Sequence, residues 1–272
     1  MSNRLGAFVR LLSLVSLAAF SLLMTRPAAA RSYVGNGVAV GGGYARVVIV
    51  TTSAGTPSSI SVVMDRRVLQ GMPSATVTRS EWEYLLPLPD GAPLTGYDHV
   101  TLTWYPQGHA PRGTYAAAHF GVHFYLVGRS AQESARFDDK ARWNAGAAIS
   151  PSLVPPGYVV VLDPAVGMFG MHGLNPEGPE FHGGPFTRTF LYGYDRGAMI
   201  YLEPMVSLSY LRAAPDVTLP VATPAAYSTT GLYPERYRVA FDRRTDCYVV
   251  SLVALRSWTG SGELLTGRAS RR

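Results

Sequence analysis

All six histidines of this 272-residue chain fall between His99 and His182, and two of them share the alternating segment His119-Phe-Gly-Val-His123-Phe-Tyr. Read as a β-strand, it turns His119, Gly121, His123 and Tyr125 to one face and Phe120, Val122, Phe124 and Leu126 to the other. The segment 98–105 repeats the pattern, with His99, Thr101, Thr103 and Tyr105 opposite Val100, Leu102 and Trp104. Joined by a Pro/Gly loop from Pro106 to Gly113, the two strands are expected to pair antiparallel and lay their polar faces side by side.

Downstream, His172 sits in a glycine-rich stretch expected to be a loop. Glu203 ends the segment Ala198-Met-Ile-Tyr-Leu-Glu, on the face of Met199 and Tyr201. Imidazoles from a strand and a distant loop plus a carboxylate from another strand suit a divalent metal such as zinc, iron or manganese. The expected ligands are His119, His123, His172 and Glu203, in a pocket lined by His99, Tyr105, His109 and Tyr125. Residues four apart on a regular strand stand ~13 Å apart, too far for two ligands at ~2.1 Å from one ion. His123, His172 and Glu203 are therefore the first choice, with His119 a fourth ligand or outer partner unless Gly121 marks a bulge.

A metal with an open position would polarise a substrate or acidify water, as in a hydrolase or oxygen-handling enzyme. The alternative is a non-catalytic envelope protein without cofactor that binds a small ligand or self-associates as a homo-oligomer. Whether the chain is an enzyme stays open between these readings. A serine hydrolase is disfavoured because no Gly-x-Ser-x-Gly elbow follows a strand. Gly41-Gly-Gly43 lacks the strand-turn-helix setting of a nucleotide loop, and Glu177 and Glu180, in a proline-rich loop, give no basis for glycosidase carboxylates.

The elements that must hold these residues are β-strands. Gly and Pro interrupt short β-branched and aromatic runs throughout, which predicts an all-β fold, a β-sandwich or barrel-like domain with one or two short helices. Expected strands are 45–52, 58–64, 82–87, 98–105, 118–127, 158–162, 187–194, 198–203, 236–242 and 247–255, the last two joined by the turn 242–246. Ser130-Ala-Gln-Glu133 reads as a capping box opening a helix to Trp143.

The first thirty residues read as an export signal: Arg4 and Arg10, an apolar run from Leu11 to Met24, then Ala28-Ala-Ala30 for cleavage. The run is shorter than the ~20 residues of a membrane span, so no stable membrane insertion is expected after cleavage. The organisation expected is a signal peptide at 1–30, flexible chain at 31–44, one β-rich domain at 45–256 and a flexible tail at 257–272, in a periplasmic or extracellular protein.

The leader holds three of the 24 basic residues and none of the 18 acidic ones, which leaves the mature chain at about +3. The remaining arginines are scattered, without an aromatic-interleaved basic stripe, and nucleic acid is not an expected partner. The lone Cys247 offers no internal disulfide and is expected to pack as a small apolar residue.

The ordered blocks Asp98-His-Val-Thr-Leu-Thr-Trp-Tyr-Pro-Gln-Gly-His109, Ala118 to Tyr125, Gly170-Met-His172, Gly184 to Asp195 and Leu202-Glu203-Pro-Met resemble a family of uncharacterised exported bacterial proteins. It is a domain-of-unknown-function family known from a Thermus protein. The resemblance runs from about Ser61 to Leu255 and implies a single domain without implying a reaction. This chain departs from the pattern at Gly173, where the family tends to an aromatic, and at Gly121, where it has an acidic residue.

Overall fold

A computed structural model describes residues 29–111, 113–135, 149–161 and 169–260. Most of the expected signal peptide (1–28), the expected continuation of the helix toward Trp143, and the part of the expected tail beyond Gly260 lie outside the described residues.

The alternating segments form two antiparallel sheets of seven strands each, packed as a β-sandwich. The first sheet contains β1 (Ser32–Val34), β2 (Val38–Val40), β3 (Gly43–Thr51), β4 (Pro57–Asp65), β12 (Asp216–Pro220), β13 (Gly231–Asp242) and β14 (Cys247–Trp258). Its order is β1-β3-β4-β14-β13-β12, with β2 also paired to β3. The second contains β5 (Trp82–Leu86), β6 (His99–Tyr105), β7 (His119–Tyr125), β8 (Val159–Val161), β9 (Met171–Leu174), β10 (Arg188–Asp195) and β11 (Ala198–Ser207), in the order β5-β6-β7-β11-β10-β9-β8.

The sandwich core follows directly from alternation. Val47, Ile49, Ile60, Val62, Val250 and Leu252 of the first sheet are buried in one cluster with Val100, Leu102, Trp104, Phe120, Val122, Phe124 and Leu202 of the second. Leu102 and Phe124 are fully excluded from solvent, which at about 25 cal/mol per Å² makes such side chains the main stabilising contribution.

Several expectations are corrected. The stretch 31–44, expected without regular structure, contains β1 and β2, which both hydrogen-bond along β3, and Gly41-Gly-Gly43 is the turn into β3 and its first residue. The tail begins later than expected, because β14 continues to Trp258 opposite Gly231. Strands β9 and β12 were not foreseen, and His172 stands on β9 rather than in a loop.

The helix α1 (Arg129–Ser134) starts two residues earlier than the capping box predicts. Its N-cap is Gly128, without a side-chain cap, and Glu133 accepts from Arg129 Nε at 2.9 Å instead of reaching back to Ser130. A second short helix, α2 (Leu208–Arg212), is capped by Ser207, whose hydroxyl accepts from the Tyr210 N–H at 3.2 Å. Among the described residues no helix is long and apolar enough to cross a membrane.

The turn 242–246 is built as its composition implies. Asp242 accepts from the Arg244 N–H at 2.9 Å and the Thr245 hydroxyl at 2.8 Å, closing β13 onto β14. Cys247, at the start of β14, is only half-buried and its thiol points to the Thr245 carbonyl, so it is not a core residue.

Candidate functional site: a histidine and glutamate chamber on the outer face of the second sheet

The face of the second sheet turned away from the sandwich core is polar, yet it is buried. The pairing of β6 with β7 sets His99 across from Tyr125, Thr101 from His123, Thr103 from Gly121 and Tyr105 from His119. On the other side of β7, the register through Tyr201↔Tyr125 and Met205↔Gly121 places Glu203 across from His123. One more strand over, β9 sets His172 beside Gly193 of β10. Antiparallel register alone therefore gathers all four expected ligands and three of the four expected pocket residues on one face.

No bulge occurs at Gly121, since the β6–β7 register runs unbroken from His99 to Tyr105. The irregularity lies one ladder away. Between β10 and β11 the register shifts at Gly193/Tyr194, which turns Met199 into the inter-sheet core while Tyr201 and Glu203 stay on the outer face. Met199 and Glu203 thus do not share a face, contrary to simple alternation. At Gly193 a Cβ would collide with the Tyr201 ring, so glycine there lets that ring lie flat across the neighbouring strand.

Gly121 does the same for the carboxylate. A Cβ on Gly121 would overlap Oε1 of Glu203 and stand 3.0 Å from the His123 ring. The vacancy left by the missing side chain is the seat of the Glu203 carboxylate. There Oε1 approaches His123 Nε2 at 3.2 Å, both side chains being 1 % exposed. The other carboxylate oxygen, Oε2, has no partner. Burial alone would raise the carboxyl, but His123, reinforced by His172 and His109, outweighs it and holds Glu203 ionised, down to about 2.

The rings form a chain of contacts, some stacked and some edge-on. His99 lies 4.6 Å from Tyr125, His123 4.6 Å from Phe169, Tyr105 4.9 Å from His119, and His119 4.8 Å from His109. His109 in turn is 6.5 Å from His172, and His172 6.2 Å from Tyr201. His109, from the loop between β6 and β7, closes the chamber over the strand, as do Tyr115 and Phe186.

Two of these imidazoles have their tautomer fixed by the backbone. His119 Nδ1–H donates to the Ala117 carbonyl at 2.7 Å and His109 Nδ1–H to the Ala110 carbonyl at 2.6 Å. In the neutral ring this leaves each Nε2 a bare acceptor, the arrangement that ordinarily orients a metal-binding histidine. Nε2 of His119 is buried without a partner. Burial, followed by the neighbouring His109, pushes His119 down to about 3; burial likewise pushes His172 down to about 4 and lowers His109.

His99 serves a different purpose from the pocket role expected of it. Its Nδ1 faces Asp98 at 2.8 Å and its Nε2 faces Gln132 Oε1 at 2.7 Å. Gln132 donates to Glu83 at 2.8 Å, and Arg129 pairs with Glu83 and Glu133. That satisfied network pins α1 onto the sheet. Glu83 and Glu81 escaped the sequence reading; the pairing of β5 with β6, which puts Glu83 opposite Thr103, is what brings them to this face. Burial raises the Glu81 carboxyl, and its Oε2 has no partner.

Unpartnered buried atoms concentrate here: besides Glu203 Oε2 and His119 Nε2, they include Thr103 Oγ1 and the Tyr201 hydroxyl. Buried polar atoms normally find partners, so such a concentration in one spot marks a place completed by a guest or by water. Among the described residues no three His, Cys, Asp or Glu side chains already surround one ion-sized point. No family model matches the chain, and neither a curated protein nor a solved structure matches it.

Proposed function

We propose that this is an exported, periplasmic or extracellular, β-sandwich protein whose outer-face chamber binds a divalent metal ion, zinc, iron or manganese. One observation carries the reading: an ionised, buried Glu203 with a free Oε2 stands on the same face as imidazoles whose Nε2 lone pairs are left bare by backbone hydrogen bonds. An acceptor-rich, desolvated group of this kind is complementary to a cation. Glu203, His119 and His109 supply ligands already oriented by their neighbours, and His172 on its short strand turns in to complete the set. His123 orients the carboxylate through its 3.2 Å approach.

Titration of chelator-treated protein with Zn²⁺, Mn²⁺ and Fe²⁺ at neutral pH tests this. Saturable binding of one ion per chain, abolished in Glu203→Gln and His119→Ala, is expected. Unchanged binding in both variants would contradict it.

A second reading has its own support. The unpartnered Thr103 and Tyr201 hydroxyls are donors as well as acceptors, which suits a small polar organic ligand in a non-catalytic envelope protein. Mass spectrometry of small molecules released on denaturation separates the two.

A further inference from the structure

Away from the histidine chamber, a cavity of about 290 Å³ opens between the two sheets where the loop after β9 meets β10, β12 and β13. Its walls include Tyr158, Asn175, Glu180, Arg188, Thr189 and Tyr237. Two opposite charges face the same space with capacity unspent. Glu180 is 6 % exposed and its Oε1 is buried without a partner. Arg188 holds its guanidinium 5.0 Å over the Tyr210 ring, reaches Thr187 at 3.4 Å and bonds the Tyr237 hydroxyl, while its Nε is buried without a partner.

The aromatic walls are fixed. The Tyr158 hydroxyl donates to the Phe190 carbonyl at 2.9 Å, and Phe190 packs on Tyr237 at 5.2 Å. The position is built on the short 3₁₀ turn Pro179–Phe181, and a Cβ on Gly178 would press on the Glu180 carboxyl at 2.9 Å. The chain is therefore shaped to tuck that carboxylate inward rather than leave it in water.

A buried carboxylate and a half-buried guanidinium that do not satisfy each other call for a guest carrying both complementary charges. A purely anionic guest would meet Glu180 and a purely cationic one Arg188. At roughly 30 Å³ per water-sized atom, the volume admits about ten non-hydrogen atoms. We propose that this cavity binds a small zwitterion of the α-amino-acid class, its ammonium group on Glu180, its carboxylate on Arg188 and its side chain against Tyr158 and Tyr237.

The test is calorimetric titration of the full chain with each proteinogenic amino acid, with glucose, acetate and methylammonium as probes of the competing chemistries. At least one amino acid is expected to bind, with affinity reduced about tenfold or more in Glu180→Gln and in Arg188→Met. His119→Ala is expected to leave that binding unchanged, so failure of the metal reading and failure of this one are told apart. Absence of binding by every amino acid, tighter binding of glucose or of either single-charge probe, or unaltered affinity in both variants would overturn the proposal. Should a variant fail to fold, ligand-induced shifts of the Tyr158 and Tyr237 ring protons in the unaltered protein decide it: shifts there support the site, and shifts confined to other residues overturn it.

Discussion

The Glu203 carboxylate occupies the space that a side chain at Gly121 would fill, two residues from the histidine it faces. The glycine on β7 and the acid on β11 are more than eighty residues apart in sequence, yet the acid's seat exists only because the glycine has no side chain. Replacing Gly121 by alanine is expected to push the carboxylate off His123 and to cost about 1–3 kcal/mol by overpacking a closed site. Urea denaturation measures the loss, and the double variant Gly121→Ala, Glu203→Gln should lose less than the sum of the two single changes. Strict additivity would mean that the two positions do not meet.

Stability should depend on pH through His119. Its folded value lies near 3, below the ordinary imidazole value of 6.5. The unfolded chain therefore takes up a proton that the folded chain refuses as pH falls below about 6.5, and the folded state loses ground until its own value is reached. This one residue accounts for about 2 kcal/mol lost between pH 6.5 and 5. Unfolding curves at the two pH values should show a smaller loss in His119→Gln than in the unaltered protein. An equal loss in both would show that His119 is not the group responsible.

Gln132 bridges His99 and Glu83 while fully buried. Gln132→Leu leaves both partners without it, and a destabilisation of about 1–3 kcal/mol is expected. Amide hydrogen exchange should locate the loosening in α1 and the end of β6. Protection unchanged in those segments would argue that the network does not anchor the helix.

Gly193→Ala drives a methyl group into the Tyr201 ring, which packs on His123 at 5.0 Å. A stability loss of about 1–3 kcal/mol is expected, accompanied by a changed near-ultraviolet circular dichroism signal from the displaced tyrosine. Full stability with an unchanged spectrum would place Tyr201 elsewhere.

The alternation in 99–105 and 119–125 was enough to define the two faces and the pairing of β6 with β7, because period two leaves only one way to bury Val100, Leu102, Val122 and Phe124. What joined that hairpin to β11 was not local. Nothing in residues 198–207 names β7 as a partner, and the register shift opposite Gly193 that reverses Met199 depends on the fit of the Tyr201 ring across β10. Strand β9 is four residues long with a glycine inside it, so its strand character comes from its neighbours β8 and β10 rather than from its own propensity. The carboxylates Glu81 and Glu83 carried a signal in the alternation Glu81-Trp-Glu83-Tyr, which puts both acids on one side. Gly121 carried the opposite message from the one it first suggests: its role is room for Glu203, not a bulge.

Elemental analysis of untagged full-length protein, alongside Glu203→Gln and His119→Ala, decides whether the chamber holds a metal. Near-stoichiometric zinc, iron or manganese is expected in the unaltered protein, and its loss in both variants. Folded protein that carries no metal and takes up none when reconstituted would contradict the metal reading.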